Sequence, residues 1–254
     1  MTLGAEAIVA SIRDVTVVFG TDGRAVEAVS KLSLDVFRGE CLSLVGASGA
    51  GKTTILNVVA GFLAPTSGTV IVNGKEVTSA GPDRGVVFQT NNLFPWKTVL
   101  QNVEFGSRMR SVDAGARREI ANELLSAVGM AGFSNFYPGE LSIGMQQRVA
   151  LARAYANDPD ILLMDEPFGS LDAQTALEMQ RLLWSIRQKA PKTIIFVTHN
   201  IEEAVTVSDR IVVLSRRPAR VKEIFEVELP YPREVNANTL ATYGDLRTRI
   251  FGLI

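Results

Sequence analysis

One cysteine, Cys41, stands in 254 residues, which rules out an internal disulfide and suits a reducing compartment. It lies in the apolar run Cys41-Leu42-Ser43-Leu44-Val45 and reads as a small core hydrophobe, not a reactive thiol. Net charge is equally scarce. The 26 Lys and Arg against 27 Asp and Glu leave −1 at neutral pH, so no basic field advertises nucleic acid or an anionic membrane surface. A partner has to be recognised by shape. No apolar run approaches the roughly 20 residues that span a bilayer, and Met1 to Ala10 lacks the basic start and long apolar stretch of a secretion signal. The expectation is a cytosolic, soluble chain. No internal repeat, low-complexity tract or long linker interrupts it, and its length suffices for one large domain or two small ones with a full core.

What is present starts with Gly46-Ala47-Ser48-Gly49-Ala50-Gly51-Lys52-Thr53-Thr54, which fits the phosphate-binding pattern G-x-x-x-x-G-K-[ST] without mismatch. The buried strand Cys41 to Val45 precedes it, and a helix over Ile55 to Ala60, closed by Gly61, follows. Gly46, Gly49 and Gly51 allow a turn tight enough for successive N–H groups to point at phosphate oxygens, and the helix dipole adds to that field. Lys52 is expected to reach the terminal phosphates and the Thr53 hydroxyl to ligate Mg²⁺.

Strands are expected over Ile8 to Phe19, with a turn near Asp22-Gly23, and over Val29 to Phe37, turning at Arg38-Gly39-Glu40. Thr69 to Val72 and Lys75 to Val77 flank Asn73-Gly74, the pair a tight primed hairpin turn requires. These strands predict a small antiparallel sheet beside the nucleotide, with Phe19 either stacked on adenine or packed as core. Gly85 to Gln89 reads as a buried strand with a polar end. Thr98 is the expected cap of a helix from Val99, and the pattern stays helical to about Asn157, notably over Asp113 to Val128, stopped by Gly129, and over Ser142 to Ala156. Strands return at Ile161 to Met164, Thr193 to Thr198 and Arg210 to Leu214, between helices near Thr175 to Lys189 and Ile201 to Val207. Such alternation predicts an α/β fold with a parallel sheet covered on both faces and a helical insert. An amphipathic helix over Leu240 to Ile254, after Pro230-Tyr231-Pro232-Arg233, is expected to pack on the core.

Strand ends line the ligand crevice of a parallel sheet. Asp165 and Glu166 follow one apolar strand: Asp165 is placed to hold hydrated Mg²⁺, and Glu166 to polarise the water that attacks the γ-phosphate. The alternative is a plain interaction with a helix dipole. The only histidine, His199, ends another apolar strand and converges with Gln89, Asp165 and Glu166. Ser142-Ile143-Gly144-Met145-Gln146-Gln147-Arg148 opens a helix with a serine cap, a second anion site that a second copy of the protein could use.

Together these residues resemble the ATPase subunit of ATP-binding cassette (ABC) transporters over nearly the whole chain. Gly46 to Thr53 matches Walker A, Gln89 the Q-loop, Leu141-Ser142-Ile143-Gly144-Met145 the signature and Ile161 to Asp165 Walker B. Glu166 matches the catalytic glutamate, Ser170-Leu171-Asp172 the D-loop and His199 the switch histidine. The resemblance implies a P-loop NTPase core with an antiparallel β subdomain and an inserted helical subdomain. The cassette would span 8–228, with core 8–97 and 157–228, insert 98–156, and a tail over 229–254. It also implies two cassettes closing head to tail around two ATP molecules with Mg²⁺, a site made of Phe19, Gly46, Ala47, Ser48, Gly49, Ala50, Gly51, Lys52, Thr53 and Thr54 with the partner's Ser142 and Gly144, and Thr53, Gln89 and Asp165 around the metal. Glu166, His199 and Gln89 take the catalytic roles.

The signature departs from the family at Ile143, where glycine is usual. If that side chain points away, Ser142 and Gly144 suffice. Met145 replaces the commoner glutamine. Gly81 to Gln89, Leu93 to Val99 and Ser215 to Arg220 resemble the nitrate, sulfonate and taurine importer group, which includes bicarbonate and pyrimidine-precursor systems. That likeness implies a motor subunit on the cytoplasmic face of the bacterial inner membrane, with permease subunits and, indirectly, a substrate-binding protein as partners. Phe94 and Trp96 are then either core aromatics or an anchor for a coupling helix of the permease. A soluble cassette in translation or DNA repair is the competing class, though such chains carry two fused cassettes or long coiled-coil insertions. An exporter's motor is a further reading. An unrelated P-loop kinase leaves Ser142 to Arg148 and His199 unexplained.

Overall fold

The computed structural model describes residues 7–20, 25–90, 92–231, 233 and 239–254. The turn expected at Asp22-Gly23, residue Pro232 and residues 1–6 lie outside them. In chain order the strands are β1 (Ile8–Phe19), β2 (Val26–Phe37), β3 (Cys41–Val45), β4 (Ser67–Val72), β5 (Lys75–Glu76), β6 (Arg84–Val87), β7 (Ile161–Asp165), β8 (Thr193–Thr198), β9 (Arg210–Leu214) and β10 (Val221–Glu226). The helices are α1 (Lys52–Ala60), α2 (Val99–Val103), α3 (Phe105–Met109), α4 (Ala114–Ala127), α5 (Ile143–Ala156), α6 (Ala173–Lys189), α7 (Ile201–Val207) and α8 (Leu240–Leu253).

The uninterrupted apolar strands are explained by the larger sheet, ordered β10-β9-β3-β8-β7-β6. All its pairs are parallel except β10 with β9. Successive side chains of a strand point to opposite faces, and here both faces are covered. Leu42, Leu44, Ile161, Leu163, Ile195 and Val197 join Ile55 and Leu56 of α1 and the small sheet in one cluster. Their neighbours Leu162, Met164, Ile194 and Phe196 join residues of α4, α5 and α6 in another. Each such side chain contributes roughly 1.5–3 kcal/mol by leaving water, so the sheet is held from two sides.

The smaller sheet, ordered β2-β1-β4-β5, is antiparallel throughout. Its β4–β5 hairpin turns on Asn73 (φ 48) and Gly74 (φ 74), the left-handed pair that the Asn-Gly dipeptide predicts. β2 begins at Val26, three residues before the expected start.

The stretch after Val99 is less continuous than its pattern suggests. Thr98 caps α2, reciprocally with Gln101. The chain then breaks at Ser111 (φ 59) and restarts where the Asp113 carboxylate accepts from the N–H groups of Gly115 and Ala116. It stops again at Gly129 (φ 71) and passes through two short 3₁₀ turns, Ala131–Phe133 and Pro138–Glu140, before α5. The stop at Gly129 and the restart at Ser142 are those the sequence predicts. Periodicity alone does not reveal the break at Ser111 or the 3₁₀ turns, because such local turns redirect the chain without altering the apolar spacing.

β10 was not expected. Lys222, Glu223 and Glu226 interrupt its apolar pattern, as suits a strand at a sheet edge. The tail beyond it packs on the core: Leu246 and Ile250 of α8 join Val45, Ile211, Val213 and residues of α7. The Tyr231 hydroxyl donates to Val207 O at 2.9 Å, and the Arg233 guanidinium donates to the carbonyls of Val205 and Ser208.

Candidate functional site

β3 lies between β8 and β9 in parallel register, so its carboxyl end delivers the chain to Gly46 beside the ends of both neighbours. The loop closes through Gly51, the N-cap of α1, at φ 99. A Cβ there would stand 2.7 Å from the carbonyl oxygen of Ala28, so any side chain would push the loop off β2. No side chain caps α1, and the N–H groups of its first turn carry the positive end of the dipole. Lys52 is 5% exposed, and its Nζ donates to Gly46 O at 2.8 Å and Ala47 O at 3.1 Å. Burial pushes its pKa down, while the charges of Glu166 and Asp165 act in the opposite direction.

β7 ends at Asp165, paired with Val197 of β8, which brings the acid to the same rim. The Thr53 hydroxyl donates to Asp165 Oδ1 at 3.0 Å. Burial raises the Asp165 pKa, against that hydrogen bond and the nearby Lys52 charge. Glu166 adopts φ 43, the left-handed region, which costs a non-glycine residue about 1–2 kcal/mol. Its N–H donates to Val197 O at 2.9 Å, and Gly169 N–H donates to its carbonyl at 3.1 Å. This backbone sends the carboxylate to His199, whose Nδ1 lies 3.1 Å from Glu166 Oε2. Strain of this kind, held by surrounding bonds, gathers where a side chain must be aimed.

A cavity of about 420 Å³ lies against the loop, within the roughly 300–1,000 Å³ of small-molecule sites. Its lining runs from Ser48 to Thr54 and includes Phe19, Val26, Ala28, Glu166 and Arg217. Gly46 and Ala47 contribute the carbonyls that receive Lys52. Phe19, at the end of β1, is 45% exposed, so it is a cavity wall and not core. His199 lines an adjoining cavity of about 260 Å³ together with Glu166, Thr198 and Glu203. A larger cavity, about 530 Å³, lies among α6, α7 and the tail and contains none of the predicted site residues. Volume alone therefore does not mark the chemistry.

Gly46, Ala47, Asp165 and His199 border the phosphate cavity without lining it, whereas three predicted residues stand apart from it. Gln89 is exposed, two residues beyond the end of β6. Ser142 is exposed, and its Oγ accepts from Met145 N–H at 3.3 Å at the start of α5. Gly144 packs there against α6, where a Cβ would meet Thr175 Cγ2 at 2.9 Å. Ile143 is 55% exposed.

Two residues beside the site escape sequence reasoning. Arg217 leans over the loop, its Nη2 3.6 Å from a Cβ built on Gly49. It is brought there by the Ala219 N–H donating to Ala28 O at 2.8 Å. Glu203 is buried behind His199. Arg217 is placed by a contact between distant segments, which no local pattern records, whereas the Glu203 bond to Thr198 spans only five residues and the apolar pattern of Ile201 to Val207 does not mark it.

Comparison with known proteins places this geometry. The family model described as ABC transporter matches residues 29–169. The taurine import ATP-binding protein TauB of Jannaschia sp. is 44% identical over 253 residues, covering 96% of this chain and 93% of that protein. The nitrate import ATP-binding protein NrtD of Synechocystis sp. is 45% identical over 227 residues, covering 89% and 85%. Among solved structures, the dimeric post-hydrolysis state of the ATP-binding cassette MJ0796 bound to ADP and Pi matches with TM-score 0.74 and 32% identity, covering 86% of this chain and 99% of that one. The fold is therefore the P-loop NTPase fold with its antiparallel sheet and helices, and the chain belongs to the ABC transporter family as an ATPase subunit.

Proposed function

We propose that this chain is the motor of an importer, closing head to tail with a second copy around two ATP molecules. The observation that carries the reading is a separation. Lys52, Thr53 and Glu166 line one cavity, whereas the exposed start of α5 with Ser142 and Gly144 lies outside it. A two-fold contact lets each chain's α5 start complete the other's cavity, so one interface supplies both sites.

In this reading Phe19 stacks on adenine, the loop N–H groups and Lys52 hold the phosphates, and Glu166 polarises the attacking water with His199 beside it. Thr53 and Asp165 are hard oxygen donors side by side, which fits Mg²⁺, an ion that would supply charge neutralisation at the terminal phosphates. Gln89, exposed beyond β6, is proposed as a further ligand on the family resemblance alone. Mixing provides the test. A Lys52→Ala chain and a Ser142→Ala chain, each inactive alone, assemble a heterodimer with one intact site, expected to recover a quarter to a half of the parent activity per such dimer. Mixtures no more active than either variant rule out the shared site.

Permease subunits are the proposed partners, at the cytoplasmic face of the membrane. No helix among the described residues is long and apolar enough to cross a membrane. Phe94 packs on Phe105 at 4.6 Å between ring centroids and carries Trp96 at 5.7 Å. Trp96 itself is 70% exposed, and aromatic anchors of this kind dominate interfaces. Trp96→Ala is expected to weaken the complex with the co-expressed permease by about 30-fold, the scale of a 2 kcal/mol contact, measured by co-purification and titration. Undiminished affinity removes Trp96 from the interface. The relatives named for taurine and nitrate import support a small oxyanion or sulfonate as cargo, with a pyrimidine precursor or bicarbonate as the alternative. Uptake assays with the adjoining binding protein decide between them.

A further inference from the structure

Glu203 is 7% exposed, on the first turn of α7. Its Oε2 accepts the Thr198 hydroxyl at 2.7 Å. The same hydroxyl oxygen accepts the N–H of Asn200 at 3.0 Å. Asn200 Oδ1 in turn accepts the N–H groups of Glu202 and Glu203, at 2.9 and 3.3 Å. A threonine hydroxyl has one proton to donate, and an ionised carboxylate only accepts. Glu203 therefore claims that proton and leaves the oxygen lone pair facing Asn200.

Thr198 and Asn200 flank His199, so one neighbour of the imidazole's own residue is bonded to the buried carboxylate directly and the other through the Thr198 hydroxyl. Upstream, Val197 O accepts the N–H of Glu166, and the His199 ring meets Glu166 Oε2 at 3.1 Å. The grip of Glu203 and the backbone of Glu166 thus close on a short run of chain from Val197 to Asn200. Glu166, Thr198, His199 and Glu203 share the walls of the 260 Å³ cavity. A helix start needs no acid in such a place: Asn200 already caps α7, and a buried carboxylate is costly unless its lone pairs are used. Burial and the charge of Glu166 raise the Glu203 pKa, while the Thr198 bond and His199 oppose the rise.

We propose that Glu203 is a positioning residue for His199: by orienting the Thr198 hydroxyl it holds the imidazole against Glu166, and turnover depends on it through His199 alone. The catalytic part rests on the reading of His199 and Glu166 given above; the geometric part does not.

Because the chain has one histidine, the full-length protein labelled with ¹⁵N-histidine yields a single imidazole spectrum. The parent chain is expected to show a protonated Nδ1, the tautomer that donates to Glu166. Glu203→Ala and Thr198→Val shift both ring nitrogens toward the tautomer mixture of a free histidine. Glu203→Gln, whose amide oxygen accepts the same hydroxyl, leaves them in place, as does Glu202→Ala at the exposed neighbour. In ATPase assays Glu203→Ala lowers kcat about tenfold with KM for ATP within about twofold, and Glu203→Gln recovers most of the loss. Introduced into His199→Ala, Glu203→Ala has less than about a twofold further effect, measured under single-turnover conditions with enzyme in excess.

An unmoved imidazole spectrum in a folded Glu203→Ala chain overturns the proposal, as does a full tenfold loss in the His199→Ala background. Should Glu203→Ala not fold, Thr198→Val, which removes only the hydroxyl, carries both readouts. If His199→Ala itself turns over ATP at the parent rate, the assignment of His199 to hydrolysis fails, and the imidazole spectrum still decides whether Glu203 positions the ring.

Discussion

Replacing Glu166 with glutamine is expected to slow steady-state ATP hydrolysis by about 10²–10⁴-fold, the scale of losing a positioned general base. ATP affinity should stay within a few fold. Glutamine keeps the size and shape of the side chain and can adopt the same backbone, so the bonds from Glu166 N–H to Val197 O and from Gly169 N–H to Glu166 O persist. What disappears is the carboxylate that meets His199 Nδ1 at 3.1 Å and that can take a proton from water. A loss confined to kcat marks an interaction made in the transition state and not in binding. Hydrolysis within threefold of the parent rate removes Glu166 from that role. The left-handed φ of 43° sharpens the case: a residue placed for stability alone gains nothing from a conformation that costs about 1–2 kcal/mol.

Lys52→Ala has the second large effect, on affinity. The ammonium is held by the carbonyls of Gly46 and Ala47 at the mouth of the loop, and a charge-assisted bond is worth about 1.5–3 kcal/mol. ATP affinity should fall by roughly 10- to 150-fold. Thermal unfolding gives an independent readout. ATP at 100 times the parent Kd stabilises the parent by about 2.7 kcal/mol, and after a hundredfold weakening the same ATP stabilises by only about 0.4 kcal/mol. The two carbonyls also lose their donor, so the variant without nucleotide should melt somewhat earlier. Comparing the melts with and without ATP separates the two effects. A full ATP-induced shift in Lys52→Ala means that the lysine does not hold the phosphates.

The legible parts of this chain were those governed by neighbours in sequence. Thr98 with Gln101, Asp113 and Asn73-Gly74 act within a few residues, and each made the cap or turn its type dictates. The unbroken apolar runs of β3, β7 and β8 announced strands covered on both sides, and the strand, loop and helix around Gly46 to Thr54 fell where expected, the helix starting three residues early at Lys52. Illegible were the break at Ser111 and the two short 3₁₀ turns, the edge strand β10 behind its charges, and the exposed position of Gln89, which does not join the phosphate cavity. A strand's apolar pattern tells that it is buried, but it does not say how far beyond the last pair its polar end is carried.

By itself the sequence determined the elements, the phosphate loop and the set of groups able to handle a nucleotide, because propensity, capping and hydrophobic period act over a few residues. Only the tertiary structure decided how those groups meet. It placed β3 between two strands that follow it by some 150 residues, turned Glu166 onto His199, laid Arg217 over Gly49 and buried Glu203 behind the Thr198 hydroxyl. All but the last, a bond across five residues, join segments far apart in the chain. They come together only when the sheet collapses on its two apolar faces, and no local pattern records that partnership.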